Sequence, residues 1–340
     1  MEVRQLDAGS IPQWDAYVMS CPHTVAWHLS GWSRAVACCY ANEFVPLVAA
    51  DGNRIRGILP LYRLLNARAS SLLVSVPYAV AGGIAADSKD AETALLDYAR
   101  NLMAARGLAR LVLKQYKRRI DGDLLTDDSY CNRELSLTPD TQGNWDRIAA
   151  GNRERVERTK SASVAVDHPC TDVEEFHSIL TRHQRDTGIP GPGIAWIRAL
   201  LDTGMYSVAL LRMEGKPAVG TLLKKFKDTV SFPYTCLRHQ DERHSDLACR
   251  LYWELISSCA QSGTRIFHSG RLPRVGSVND YRQGWGGTEY PYFYQYYPNR
   301  GATEASQKRG AKRAMLHVVW KRLPLPVARA AGPRIVSRYP

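Results

Sequence analysis

Several features that define common protein classes are missing from this 340-residue sequence. No apolar run reaches the roughly 18 residues that a membrane-spanning helix needs. The first residues, MEVRQLDAGS, lack the basic-then-apolar layout of a signal peptide. The eight cysteines form no C-x-x-C pair, and neither they nor the nine histidines show a spacing typical of a metal site. The sequence therefore predicts a cytoplasmic protein with reduced cysteines and no metal.

Two motifs of common enzyme classes are also missing. No G-x-G-x-x-G follows a predicted strand, which disfavours an oxidoreductase with a nucleotide cofactor. No G-x-S-x-G is present, so a serine hydrolase has no support.

The charge is large but unevenly placed. The formal net charge is +12, and residues 299–340 hold ten Lys or Arg against one Glu, which leaves +3 for the rest of the chain. A surface that follows the phosphates of a duplex would carry its excess charge on the folded body. The sequence therefore predicts no binding of duplex DNA.

The pattern of predicted elements occurs twice. With 45% hydrophobic residues and this length, two domains are expected. The first half reads α, β, β, β, α, β, and after the polar stretch LTPDTQG near 137–143 a similar order begins again. We expect an α/β fold with mixed α+β sheets, an N-terminal domain at 1–140, a second domain at 141–298 and a basic tail at 299–340.

Two basic segments are candidates for anion binding. Ser245 can cap the helix that contains LACRLYWELISSCAQSG, and Arg243 and His244 flank the same helix start, where backbone N–H groups attract a phosphate. A helix further upstream carries Arg153 and Arg155. The alternatives are a capped, solvated helix start and a solvated, ion-paired helix face.

A glycine-rich loop region is the other candidate site. Gly270-Arg271 follows a predicted strand, and the segment DYRQGWGG comes next along the chain. Loops at strand ends often carry function, and arginine suits carboxylates and phosphates. The candidate residues in this region are Arg271, Asp280, Tyr281, Arg282 and Trp285. The alternative is a surface loop with a packing tryptophan.

Five segments, taken in order over roughly residues 5–298, resemble one family, the FemAB-like transferases. Within it they are most similar to the FemAB-related proteins associated with exosortase and exopolysaccharide systems. The segments are PHTVAWHLSGWSRAV, RIRGILPLYRL, VSVPYAVAGGI, NRERVERTKSASVAV and FHSGR…GSVNDYRQGWGGTEYPYFYQY.

The resemblance implies tandem GNAT-like domains, the fold of acyl-CoA N-acyltransferases. Family members transfer an acyl or aminoacyl group from acyl-CoA or aminoacyl-tRNA to an amine, often on a cell-envelope precursor. The donor is a co-substrate, and no tightly bound cofactor is expected. The turn before Ser245 would correspond to the pyrophosphate position. Arg282 falls where the family usually has Lys in "F-K-x-x-(W/F)-G" and would stabilise developing negative charge.

One departure bears on activity. The family's usual "F-D-F-G-R-S" is here Phe267 to Leu272, FHSGRL, which keeps Gly-Arg but loses the Asp and the Ser. His268 can replace the carboxylate as general base, since an unperturbed histidine titrates near neutral pH. It can equally be a structural residue. The alternative function is therefore a non-catalytic binding or scaffold protein of the same pathway that retains the fold.

The tail from residue 315 to 340 alternates short apolar clusters with Lys and Arg. Such a segment can lie on an anionic membrane surface, with Trp320 at the interface and the protein peripheral on the inner membrane. The alternative is a disordered, solvated tail.

Overall fold

The computed structural model describes residues 1–65, 71–274, 282–298 and 316–338, in two compact units. Among these residues, unit 1 contains 1–130, 291–298 and 335–338, and unit 2 contains 131–274, 282–290 and 316–334. The domain limits expected from the sequence stay a prediction.

Unit 1 is a mixed α/β unit. Its helices are α1 (Ile11–Ser20), α2 (Ser30–Cys39) and α3 (Lys89–Ala105), with short 3₁₀ turns at Ala8–Ser10 and Ala26–His28. Its strands are β1 (Glu2–Gln5), β2 (Asn42–Asp51), β3 (Arg54–Leu64), β4 (Leu72–Ser75), β5 (Ala85–Ala86), β6 (Arg110–Tyr116), the start of β7 (Leu125–Ser136) and most of β14 (Thr288–Tyr297).

The strands of unit 1 follow the order β1-β2-β3-β4-β6-β14, with β5 beside β3. The β4–β6 pair is parallel, because α3 carries the chain back between these two strands. The Asp51-Gly52 turn joins β2 to β3, as a D-G turn between two short apolar runs predicts, and Gly52 adopts a φ of 56° there. Helix α3 packs on one face of the sheet over a core that includes Leu59, Leu95 and Leu111.

Unit 2 contains the remaining elements. Its helices are α4 (Thr141–Asp146), α5 (Ala150–Arg158), α6 (Val173–Asp186), α7 (Ile194–Leu201), α8 (Glu242–Gln261), α9 (residues 316–321) and most of α10 (Leu325–Val336). Its strands are the end of β7, β8 (Val164–Cys170), β9 (Tyr206–Met213), β10 (Lys216–Phe226), β11 (Thr229–Leu237), β12 (Ile266–His268), β13 (Leu272–Pro273) and the start of β14.

The strands of unit 2 follow the order β7-β12-β11-β10-β9-β8, with β13 beside β7. Here too a helix, α8, connects the two strands of a parallel pair, β11–β12. The run β9-β10-β11-α8-β12 thus repeats β2-β3-β4-α3-β6. This agrees with the repeated order that the sequence predicts.

The described part of the tail is helical and packs on unit 2. Trp320 is 2% exposed, and the Arg185 side chain donates a hydrogen bond to the carbonyl oxygen of Leu323 at 3.4 Å. A Cβ atom on Gly332 would lie 2.6 Å from the carbonyl oxygen of Gly191, so a helix can approach this loop closely only through a glycine. The prediction of Trp320 at a membrane interface is wrong, because its ring is buried within the protein. The alternative of a disordered tail is wrong for residues 316–338.

No helix among the described residues is long and apolar enough to cross a membrane.

Candidate functional site

The end of strand β12 is where the parallel pair of unit 2 separates. Ser231 of β11 lies opposite His268, the last residue of β12, and β11 then continues to Leu237 without this partner. On its other side β12 pairs with β7, with His268 opposite Glu134. The chain therefore separates from β11 after His268 but stays beside β7, because the backbone N–H of Ser269 donates a hydrogen bond to the carbonyl oxygen of Arg133 at 3.0 Å and β13 pairs with β7.

His268 and Glu134 form a close, partly buried pair. The Nε2 atom of His268 lies 3.0 Å from Oε1 of Glu134, and the two side chains are 19% and 10% exposed. A carboxylate at this distance orients the imidazole and stabilises its protonated form. The geometry is therefore compatible with a general base that collects a proton.

The loop after His268 is fixed by Asn132, a fully buried residue of β7. Its Oδ1 atom accepts a hydrogen bond from the backbone N–H of Gly270 at 3.0 Å. Gly270 has a φ of 85°, a conformation that favours glycine. Arg271, the next residue of the loop, is exposed.

The closing segment, residues 282–287, lies against β7. Trp285 is 1% exposed and packs on Tyr252, at 5.6 Å between ring centroids. A Cβ atom on Gly287 would lie 2.3 Å from the carbonyl oxygen of Glu134, so only glycine permits this approach. The closing segment therefore contacts the same strand residue that pairs with His268.

The segment also contacts α5. The Asn152 side chain donates a hydrogen bond to the carbonyl oxygen of Gln283 at 2.6 Å. Arg282, the residue before Gln283, is exposed. The predicted site residues Asp280 and Tyr281 lie outside the described residues.

Helix α5 presents its predicted arginines in different places. Arg153 donates to the carbonyl oxygen of Asp146 at 3.2 Å and lines a surface depression of about 570 Å³ together with Trp145 and Arg158. Arg155 is half-buried and does not line this depression. The two predicted arginines, Arg153 and Arg155, therefore lie in different environments.

The start of α8 differs from the prediction in its cap. Asp241, not Ser245, is the N-cap, and its carboxylate accepts a hydrogen bond from the backbone N–H of His244 at 2.8 Å. Ser245 instead donates its hydroxyl to the carbonyl oxygen of Asp241 at 2.9 Å. Both Asp and Ser are good caps, and the helix begins one turn earlier than the apolar pattern indicates because Asp241 occupies the earlier position.

His244 is part of the cap rather than a surface cation. Its ring is buried, with Nδ1 at 2.7 Å from Oδ1 of Asp241. Partial burial acts to raise the pKa of Asp241, but the hydrogen bonds from His244 outweigh it and hold that pKa below its usual value. Asp241 thus carries negative charge at the helix start at neutral pH.

A second surface depression, of about 600 Å³, lies at this helix start. Arg243 lines it together with Arg158, and Arg158 makes two hydrogen bonds of 2.8 Å to the buried Asp246. Two arginines and three carboxylates line this depression: Arg158, Arg243, Glu214, Glu242 and Asp246. Arg243 would attract an anion bound here, and the neighbouring carboxylates would repel it.

Sequence reasoning missed Glu134 and Asn132. Both lie on β7, whose segment LTDDSYCNRELS is mostly polar and gives no clear strand periodicity. The pairing of Glu134 with His268 depends on strand order, which joins residues far apart in the chain. No local signal marks either residue.

Comparisons with solved structures establish the fold. No family model matches the chain, and no curated protein sequence is significantly similar to it. The structure of FemX is similar with a TM-score of 0.66 at 11% identity, over 88% of this chain and 98% of FemX.

Two further structures agree. One is the C-terminal domain (DUF2156) of a putative lysylphosphatidylglycerol synthetase from Agrobacterium fabrum, with a TM-score of 0.58 at 13% identity over 90% of this chain and 96% of that one. The other is a tandem GNAT protein from the clavulanic acid biosynthesis pathway, with a TM-score of 0.56 at 13% identity over 86% and 97%. The chain therefore has the FemAB-like fold of GNAT type, α/β with mixed sheets, that its sequence predicts.

Proposed function

We propose that this protein is an N-acyltransferase. It transfers an acyl or aminoacyl group from acyl-CoA, or from aminoacyl-tRNA, to an amine on a cell-envelope or exopolysaccharide precursor. The observation that carries the proposal is the His268–Glu134 pair, 3.0 Å apart at the point where the β11–β12 pair opens. The similarity to FemX and to a tandem GNAT protein supports it at the level of the fold.

The chemistry needs a proton acceptor. An amine is protonated near neutral pH and must lose a proton before its lone pair attacks the donor's carbonyl carbon. His268 takes this proton, and Glu134 stabilises the imidazolium that forms. The attacking nitrogen becomes positively charged in the tetrahedral intermediate. When the bond to sulfur or to the tRNA oxygen breaks, the excess proton on this nitrogen passes to the leaving group.

The proposal gives two exposed arginines a supporting role. Arg271 lies three residues after His268, and Arg282 begins the segment that contacts Glu134 through Gly287. A guanidinium near the carbonyl oxygen stabilises the negative charge that develops there. On this proposal two groups of residues bind the donor. They are Arg243, His244 and Ser245 at the start of α8, and Arg153 and Arg155 on α5.

One observation favours a non-catalytic binding protein instead. The depression at the start of α8 is lined by three carboxylates against two arginines, so its own charge opposes a pyrophosphate. This second function keeps the fold and a place in the same pathway, and it excludes turnover.

Release of the CoA thiol distinguishes the proposed enzyme from the non-catalytic binding protein. The full chain is incubated with acetyl-CoA or a long-chain acyl-CoA and an amine panel of glucosamine, lysine and phosphatidylethanolamine. A parallel reaction follows deacylation of aminoacyl-tRNA with the same amines. We expect amine-dependent donor consumption that falls about tenfold or more in Arg282→Ala, because one charge-stabilising group is lost.

The control is Arg4→Ala, which removes an arginine of strand β1 that is distant in sequence from the site. Circular dichroism shows that each variant is folded. Absence of amine-dependent donor consumption contradicts the proposed enzyme and favours the binding protein. Amine-dependent consumption that is equal in wild type and Arg282→Ala contradicts the role of Arg282.

A further inference from the structure

The exposed apolar side chains of unit 2 are concentrated at one place. Seven large hydrophobic residues in the described chain are exposed, and four of them belong to unit 2. These four are Ile189 (57% exposed), Val318 (52%), Val319 (48%) and Val327 (47%). Soluble surfaces carry scattered apolar residues, but a concentration on two short helices and one adjoining loop indicates a binding surface.

The same helices are strongly basic. Residues 316–338 contain five Lys or Arg and no Asp or Glu. Lys321, Arg322 and Arg329 are exposed, and within the described chain no carboxylate forms an ion pair with them. These three cations and the four apolar residues, all of unit 2, are called the C-terminal face below.

The helices that carry this face are docked, so the face is presented by a folded support. A Cβ atom on Gly188 would lie 2.5 Å from the ring of His317, which places Ile189 beside α9. Pro333 of α10 approaches Gly193, and Trp320 is buried. Because Trp320 and Ala328 face the protein, the valines of the same helices remain at the surface.

We propose that the C-terminal face binds an anionic lipid membrane. Each basic residue near such a surface contributes on the order of 1 kcal/mol, and apolar side chains gain further by entering the boundary between headgroups and acyl chains. The valines and Ile189 would enter that boundary while the guanidinium and ammonium groups meet the headgroup phosphates. This inference goes beyond the transfer chemistry and does not depend on it.

The valines favour a membrane over a nucleic acid. RNA attracts basic side chains through its phosphates, and a surface built for that purpose interleaves cations with aromatic or polar groups. Exposed aliphatic side chains gain little from phosphates, whereas a bilayer removes them from water. The experiment must therefore distinguish membrane binding from binding of RNA by the same face.

The test is co-sedimentation of the full chain with vesicles. We expect binding to vesicles of phosphatidylcholine with 30 mol% phosphatidylglycerol and much weaker binding to pure phosphatidylcholine. The double variant Val318→Asp/Val319→Asp is expected to weaken binding about tenfold or more, because two inserted side chains become charged. Lys321→Glu is expected to weaken it about fivefold or more.

Matched substitutions elsewhere serve as controls. Met19→Asp changes an apolar residue of unit 1 that is 52% exposed, and Lys216→Glu reverses an exposed charge at the start of β10. Both should bind vesicles like wild type. Thermal unfolding of every variant shows whether the fold is kept, which is expected because all the changed side chains are exposed.

Three results would overturn the inference. The first is no preference for phosphatidylglycerol vesicles. The second is equal binding by wild type and by Val318→Asp/Val319→Asp, since the apolar residues would then have no part. The third is binding of total tRNA that Lys321→Glu weakens and the valine variant does not, together with no vesicle binding, which assigns the basic residues to RNA.

Discussion

Replacing His268 with alanine is expected to lower kcat/KM for acyl transfer by about 10²–10⁴-fold, the usual contribution of a positioned general base. The imidazole lies 3.0 Å from the Glu134 carboxylate, and its removal leaves no other base on strand β12. The measurement is the initial rate of CoA release with saturating amine, on the full chain.

Glu134→Gln tests the role of the carboxylate separately. Glutamine retains the size of the side chain but removes the charge that stabilises the imidazolium, so kcat/KM should fall while the fold is kept. His23→Ala, at an exposed histidine of unit 1, is the matched control and should keep the wild-type rate. A wild-type rate in His268→Ala would contradict its assignment as the base.

Replacing Lys224 with methionine is expected to stabilise the protein, and more at pH 7.5 than at pH 9.5. Lys224 lies in β10 and is 6% exposed, and burial lowers the pKa of Lys224 to about 7. Above pH 7 the folded protein holds a neutral amine, whereas the unfolded chain binds a proton up to its ordinary pKa of 10.5. At a pH between these two pKa values, unfolding therefore takes up a proton. The free energy of unfolding of the wild type consequently rises with pH over this range.

The expected size follows from the same linkage. Methionine has no proton to bind, so its advantage over lysine is on the order of 4 kcal/mol at pH 7.5 and falls by roughly 2–3 kcal/mol at pH 9.5. Urea unfolding of both proteins at both pH values measures it. Lys225→Met changes the exposed neighbouring lysine and should show little dependence on pH. An equal difference at both pH values for Lys224→Met would mean that Lys224 is charged in the folded protein.

Segments with strong local signals could be predicted from the sequence. The segment DAETALLDYARNLMAAR, residues 90–106, has the apolar period of an amphipathic helix and is followed by Gly107, and the structure has α3 at Lys89–Ala105 with Ser88 as its N-cap. The hairpin turn at Asp51-Gly52 is equally local. The recurrence of hairpin strands, helix and parallel strand in both halves follows from such signals taken together.

Features that depend on residues distant in sequence could not be predicted. The pairing of Glu134 with His268 follows from the order of strands, and β7 is too polar to show a strand period. The burial of Trp320 depends on docking against a loop more than a hundred residues earlier. Helix α10 tolerates Pro326 because the first turn of a helix needs no backbone N–H donor.

The proposed activity is tested most directly by a thermal-shift titration of the full chain against CoA, acetyl-CoA, long-chain acyl-CoAs and an aminoacyl-tRNA pool. A ligand at a hundredfold excess over its Kd stabilises the native state by about 2.7 kcal/mol. At about 2–4 °C per kcal/mol, the Tm should rise by roughly 5–10 °C with one class of donor. Arg243→Ala should reduce that rise, and Met19→Ala should not. No rise with any donor would contradict a functional donor site and leave the binding protein as the function.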